Sequence, residues 1–193
     1  MRSDARKNHD QLLIVARAVL TEQGADASLR DIARRAGVGL ATLLRHFATR
    51  EALLEALLRA SFDELAARAG ELEASSSPED ALVSWLRECV ACAHEYRGVT
   101  ALMMAAIEDS ESALHASCVT MRMAGAHLLA RAQDTGIARA DVDGTDLFAM
   151  VGALAWLGDQ PSLAPRADHL FNVIARAILT SQARRDTRCT STR

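Results

Sequence analysis

At 193 residues, half of them hydrophobic and 24% charged, the chain is long enough to bury a substantial core and too apolar to be disordered. No run of about 18 apolar residues occurs, and the opening MRSDARKNHD is too polar for a signal peptide, so no membrane span is expected and the protein is expected to be cytoplasmic. The net charge of −3 hides an asymmetry: residues 1–50 carry nine Lys/Arg against five Asp/Glu, a net of +4, whereas residues 51–193 carry 13 against 20, a net of −7. A basic head on an acidic body suits a protein whose head alone meets phosphates.

Taken in chain order, the elements are all helical, with no strand pattern and no internal repeat. Residues 12–24 predict a helix with Leu12, Ala16, Val19 and Leu20 on one side. In SLRDIARRAGVGLATLLRHFATR, residues 28–50, Ser28 offers an N-cap, and Asp31 completes a shortened capping box. Leu29, Ile32, Ala33 and Ala36 then form one apolar stripe. Gly37 stands where a helix needs a left-handed terminal residue, and Val38 supplies the hydrophobic contact beyond it. A second short helix, about Leu40 to His46, turns Leu43 inward. Phe47 plugs the core, and Thr49 caps a long helix from Arg50 to about Gly70. Two short helices set steeply by a tight turn are a helix-turn-helix, whose second helix fits the major groove.

Ser75, Ser76, Ser77 and Pro78 mark the next break, with Pro78 placed to open a helix to about Tyr96. Gly98 punctuates it. A shorter helix is predicted over Ala101–Asp109, and a long one from Ser110 or Ser112 to about Thr135, ended by Gly136. Asp143 caps a helix through about Leu157, and a final helix spans roughly Arg166 to Thr180. The polar residues 182–193 are expected to be a flexible tail. LFAMVGALAWL, residues 147–157, contains no charge and must be covered on all sides. It is either a central helix of one subunit or a helix shared between the core and a partner. Ala149, Gly152, Ala153 and Ala155 permit close helix approach.

The order of segments, VARAVLTEQG, then SLRDIARRAGV, then ATLLRHFATREALL, resembles the N-terminal domain of the TetR family of transcriptional regulators over roughly residues 8–58. The resemblance implies an all-α protein. By that resemblance residues 1–50 are expected to form a three-helix DNA-binding domain, with a connecting helix at about 50–70, and a larger helical ligand-binding and dimerisation domain is expected over 71–181. It implies that DNA contacts fall on Arg30, Leu40, Ala41, Thr42, Leu44, Arg45, His46 and Arg50. Thr42 suits a phosphate or base edge, Arg45 a bidentate pair with guanine, His46 and Arg50 phosphates, and Leu40 and Ala41 thymine methyls. Arg34 and Arg35 read equally as solvated charges. The family usually carries a tyrosine where this chain has Leu44, and a leucine cannot donate a hydrogen bond to phosphate. Regulators of this family pair through their last two long helices, which implies a homodimer with Phe148, Val151, Gly152, Ala155, Phe171, Ile174 and Ile178 at the interface.

The resemblance further implies a small-molecule effector that weakens binding to a double-stranded operator, so that the chain is expected to be a repressor. Trp85, Cys89, Met103, Met104, Ile107, Cys118, Met121, Met150 and Leu154 form the candidate pocket, since Met and Trp make adaptable apolar walls. The plainer reading of the same stripe is core. Cys89 and Cys92 form C-x-x-C inside a predicted helix without a second pair at zinc spacing, which reads first as buried structural thiols and second as a redox sensor or a metal site with His94 or His115. No G-x-S-x-G, H-E-x-x-H or glycine-rich phosphate loop is present, so neither an enzyme nor a cofactor is expected, and an all-helical thiol enzyme would rest on Cys89 and Cys92 alone. The alternative to a repressor is a ligand- or protein-binding relative with weakened DNA binding, favoured by Leu44, or a redox-responsive regulator using the cysteine pair.

Overall fold

A computed structural model of the chain describes residues 2–24, 27–96 and 108–180. Through them run α1 (Arg2–Gln23), α2 (Leu29–Arg35), α3 (Leu40–His46), α4 (Arg50–Glu73), α5 (Pro78–Glu95), α6 (Ala113–Asp134), α7 (Gly144–Asp159), a 3₁₀ turn (Ala164–Arg166) and α8 (Ala167–Ile178). The fold is all-α, and among the described residues Ala138 and Leu179 form only an isolated antiparallel bridge. None of the described helices is long and apolar enough to cross a membrane. The expected helix over Ala101–Asp109 falls largely on residues 97–107, and the expected tail on 181–193, both outside the described residues.

The chain divides into two compact units. The described residues of Met1–Phe62 and Glu95–Cys118 make one, and those of Asp63–His94 and Val119–Arg193 the other. In the first, Leu12, Ala16, Val19 and Leu20 of α1 are buried with Ile32, Ala33, Leu43, Phe47, Leu53, Leu54, Leu57 and Leu58. This is the apolar stripe of each amphipathic helix turned to one interior. A polar chain threads that interior. Arg17 Nη2 donates to Ser61 Oγ at 3.0 Å, the Ser61 and Tyr96 hydroxyls lie 2.8 Å apart, and Tyr96 donates to the Leu57 carbonyl at 3.5 Å. Ser61 and Tyr96 are both buried, so these bonds replace the water each hydroxyl gave up.

In the second unit, Pro78 occupies the first position of α5 and Ser77 Oγ accepts from Asp80 N at 3.2 Å, so the Ser-rich break starts the helix as its chemistry predicts. Asp143 accepts from Thr145 N and Asp146 N while Asp146 Oδ2 accepts from Asp143 N, a full capping box for α7. Gly136, at φ +72°, ends α6 in the left-handed region. The chain leaving α8 is tied to that same turn. Arg139 N donates to Ile178 O at 2.9 Å, Thr180 N to Ile137 O at 2.7 Å, and Thr180 Oγ1 to Gly136 O at 2.6 Å. This bridge is why α8 stops at Ile178, short of the predicted Thr180. His94 lies against Gly158, with Nε2 3.2 Å from the Ala155 carbonyl.

Trp85 anchors this unit. Its ring is buried, and Nε1 donates to the Leu65 carbonyl of α4 at 2.9 Å. Gly125 of α6 lies so close to the indole that a Cβ there would overlap the ring. Gly125→Ala is therefore expected to lower stability by about 1–3 kcal/mol through overpacking, read as a lower urea midpoint with tryptophan fluorescence as the probe. Gly70→Ala on α4, where a Cβ meets nothing within 4 Å, should leave the midpoint unchanged or raise it, because alanine is the better helix former.

Candidate nucleic-acid interface

The interface is assembled from local signals. Ser28, in extended conformation, accepts from Asp31 N at 3.1 Å and starts α2. Gly37 takes φ +70°; its N–H donates to Arg34 O at 3.2 Å and that of Val38 to Ala33 O at 3.0 Å, which closes α2 and reverses the chain. Gly39 opens α3, and Thr49 Oγ1 caps α4 by accepting from Ala52 N at 3.1 Å. Leu43 is fully buried and Phe47 nearly so, which pins α3 by its inner side. At roughly 100° per residue, Ala41 and Arg45 then fall opposite Leu43, with Leu44 beside Ala41 and Thr42 beside Arg45.

Among the expected DNA contacts, Arg30, Ala41, Leu44 and Arg45 are exposed and Leu40, Thr42 and His46 half-buried. Arg45 Nη2 donates to Thr42 Oγ1 at 2.9 Å, which holds the guanidinium over the outer face of α3. The His46 ring sits by Phe47 and by His9 of α1, with centroids 6.3 and 6.1 Å away. Arg50, expected to meet a phosphate, also has a partner within the head. It is half-buried, Nη1 donates to the Ala27 carbonyl at 2.7 Å, and Nη2 is buried without a hydrogen-bond partner among the described residues. The Ala27 carbonyl that it reaches lies in the connection between α1 and α2.

Asp31 also departs from the capping box. Its backbone N–H reaches Ser28, but its carboxylate accepts from Arg34 and from Gln23 Nε2 at 2.9 Å, with Arg35 Nε at 3.5 Å. The Arg34 bond, then that of Gln23, holds the Asp31 carboxyl below the usual carboxylate range. Its stabilising share is thus present at neutral pH and lost as pH falls through that lowered value. Arg35 also pairs with Glu22 at 2.5 Å, which raises the guanidinium further. Arg34 and Arg35 are thereby engaged within the head, whereas Arg30 and Arg45 have no carboxylate partner among the described residues.

The candidate effector residues are not brought together as one wall. Trp85, Cys89, Met121 and Leu154 are buried in the second unit, Cys118 is buried in the first, and Met103, Met104 and Ile107 lie outside the described residues. Met150 and Leu154 do line an apolar cavity of about 10 Å³ between α5, α7 and α8, together with Leu86 and Val90. Val151, Phe171, Ile174 and Ile178, expected at a dimer interface, line that same cavity, and Phe171 and Ile178 are almost wholly buried in it. Of the expected interface residues Gly152 does face outward, beside Ala149, Ala153 and Trp156 of α7, and Val173 of α8 is outward too, with Trp156 63% and Val173 50% exposed. Phe148 is half-buried under Arg122, whose guanidinium lies 5.1 Å from the ring, and Ala155 is half-buried near His94. Burial first, then the neighbouring Cys92 and Glu88, pushes the Cys89 thiol well above its ordinary range. Among the described residues no group of His, Cys, Asp or Glu is arranged to hold a metal.

Residues 12–57 match the model of bacterial regulatory proteins of the TetR family, and residues 77–178 match that of the SbtR-like transcriptional regulator C-terminal domain. The chain is similar to a TetR transcriptional regulator of Streptomyces coelicolor at 31% identity, covering 90% of this chain and 99% of that one with a TM-score of 0.71. It is also similar to a TetR transcription regulatory protein from Mycobacterium vanbaalenii, at 28% identity and TM-score 0.68 over 93% of this chain and 99% of that one. A curated HTH-type transcriptional regulator of Staphylococcus aureus is 39% identical over 67 residues, which is 33% of this chain and only 35% of that relative's length.

The Arg50 geometry gives a direct test. Arg50→Ala removes a charged hydrogen bond to the Ala27 carbonyl and should lower unfolding free energy by about 1.5–3 kcal/mol, measured by thermal or urea melting in the absence of DNA. An unchanged melt would return Arg50 to a role outside the fold.

Proposed function

The chain belongs to the TetR family of bacterial transcriptional regulators, and from that premise we propose that it is a homodimeric repressor of the cytoplasm, released from a double-stranded operator by a small, mainly apolar effector. The observation that carries the reading is the outer face of α3. A buried Leu43 fixes the helix while Ala41, Leu44 and Arg45 stand exposed, and Arg30 of α2 is exposed as well. Such a face fits the major groove, and the exposed cations supply its attraction to phosphate.

The exposed Trp156 of α7 and Val173 of α8, with the exposed small residues Ala149, Gly152 and Ala153 of α7, favour a second copy as partner, since aromatic side chains are enriched at interfaces and small residues let helices approach closely. A two-fold pair would present two copies of α3 to two half-sites. The effector reading draws on the apolar cavity beside Met150 and Leu154, which at its present size holds about one water and must open to admit an organic molecule. A ligand preferring that opened state shifts the balance away from DNA only if its affinity differs between the two states. The redox alternative is disfavoured by Cys89, because a buried, high-pKa thiol is a poor thiolate.

Binding to a duplex selected from a random pool should weaken steeply between low and moderate salt, followed by fluorescence anisotropy; salt-independent binding, or no enriched sequence, ends the regulator reading. Arg45→Ala should relax base preference by roughly 1–3 kcal/mol, whereas Arg34→Ala should change it little. In sedimentation equilibrium at micromolar concentration the chain should run as twice its mass of 20.8 kDa. Trp156→Glu should shift it to monomer while leaving helical circular dichroism intact, since a charge buried unpaired at an interface costs several kcal/mol.

A further inference from the structure

The outer face of α3 is divided lengthwise. With Leu43 pointing to the core, the remaining positions run around the helix as Leu40, Leu44, Ala41, Arg45, Thr42 and His46, at roughly 100° per residue. One half is apolar and the other is polar. Leu44 is 38% exposed and Ala41 is exposed beside it, with no polar atom on either side chain. Arg45 occupies the polar half, with its guanidinium held by Thr42 Oγ1 at 2.9 Å. More than a third of the Leu44 surface is left to solvent on this seven-residue helix, while the interior of the head is filled by Leu43 and Phe47.

We propose that Leu44, with Ala41, is a specificity-determining residue that reads the C5 methyl group of thymine, while Arg45 reads a neighbouring guanine. The proposal rests on the DNA-binding reading above and adds to it the chemistry of the base contacts. In the major groove the thymine methyl is the one apolar group on a base edge, so it is the complement of an apolar side chain; O6 and N7 of guanine are the complement of a guanidinium. The exposed guanidinium of Arg45, next to Ala41 around the helix, together with the exposed Arg30 of α2, supplies the charge complementarity that brings a duplex, rather than an apolar protein surface, to this face. Leu44 has no hydrogen to give to a phosphate. Its contribution is therefore tied to base identity and is insensitive to salt.

The test replaces single thymines by deoxyuridine in the selected duplex, which removes the methyl and keeps every hydrogen-bonding group. The full-length protein should bind about fourfold more weakly for each methyl that Leu44 or Ala41 covers, the effect of one methyl-sized burial. In Leu44→Ala, an exposed and helix-compatible change, the thymine and uracil duplexes should become nearly equal at the Leu44 position, while discrimination for guanine is retained. In Arg45→Ala the reverse is expected. If wild-type protein binds both duplexes alike, the proposal is wrong. If Leu44→Ala weakens both alike, the leucine packs on sugar and the proposal is equally wrong. Enrichment of no duplex at all defeats the regulator reading itself, whereas an enriched duplex indifferent to uracil defeats the methyl-reading alone.

Discussion

The reversal at Gly37 and the burial of Leu43 act together as the constraint on which the head depends. A left-handed residue ends α2 after seven residues, and the Val38 and Gly37 amides satisfy the carbonyls left open at its end. The chain then re-enters as α3 with no freedom to rotate, because Leu43 and Phe47 are already committed to the interior formed by α1, α2 and α4. Everything that faces outward on α3 is fixed as a remainder of that commitment. A rotation of one residue along the helix would bring Leu44 inside and put Leu43 in water, so the register of the exposed face is enforced by the core.

The nominal charge of the head overstates what it offers to a polyanion. Asp31 and Glu22 hold Arg34 and Arg35 in a network that ties α2 back to α1 through Gln23. Arg50 is spent on the Ala27 carbonyl. Long-range attraction still follows the whole charge distribution, but short-range contact falls to the cations whose guanidinium groups are uncommitted. The network therefore separates rigidity from recognition, with some arginines shaping the head and others available to meet a partner.

Elements whose ends are written in local chemistry were legible in the sequence. Ser28, Gly37, Thr49, Pro78, Gly136 and Asp143 each do at a helix terminus what their residue type prefers, and helix bounds follow within a turn. Side-chain partners were less legible, because they depend on tertiary neighbours. Asp31 at the third helical position was expected to reach back to the N-cap, yet a guanidinium one turn ahead and the Gln23 amide compete for the same oxygens and win. The apolar stripe of α8 illustrates a different limit. Periodicity separates Phe171 and Ile178 from Val173, which shares its exposed face with Asp168, Asn172 and Arg176, but it does not say that the apolar side is turned to α5 rather than outward. Trp85 reads in sequence as an adaptable wall, and the Leu65 carbonyl and the closeness of Gly125 make it a fixed post.

The tie between the end of α8 and the turn after α6 has a thermodynamic consequence. Backbone bonds from Arg139 to Ile178 and from Thr180 to Ile137 clasp the two ends of a loop that contains all of α7 and α8. A loop closed at its ends cannot fray one helix at a time from an open terminus; opening the clasp exposes both helices to solvent, which makes them a single cooperative unit in local unfolding. The outward residues Trp156 and Val173 sit inside that loop. Anything that covers them in the folded state lowers the population of the opened loop by mass action. Slow amide exchange at Arg139 and Thr180 would then report occupancy of a surface on which neither residue lies.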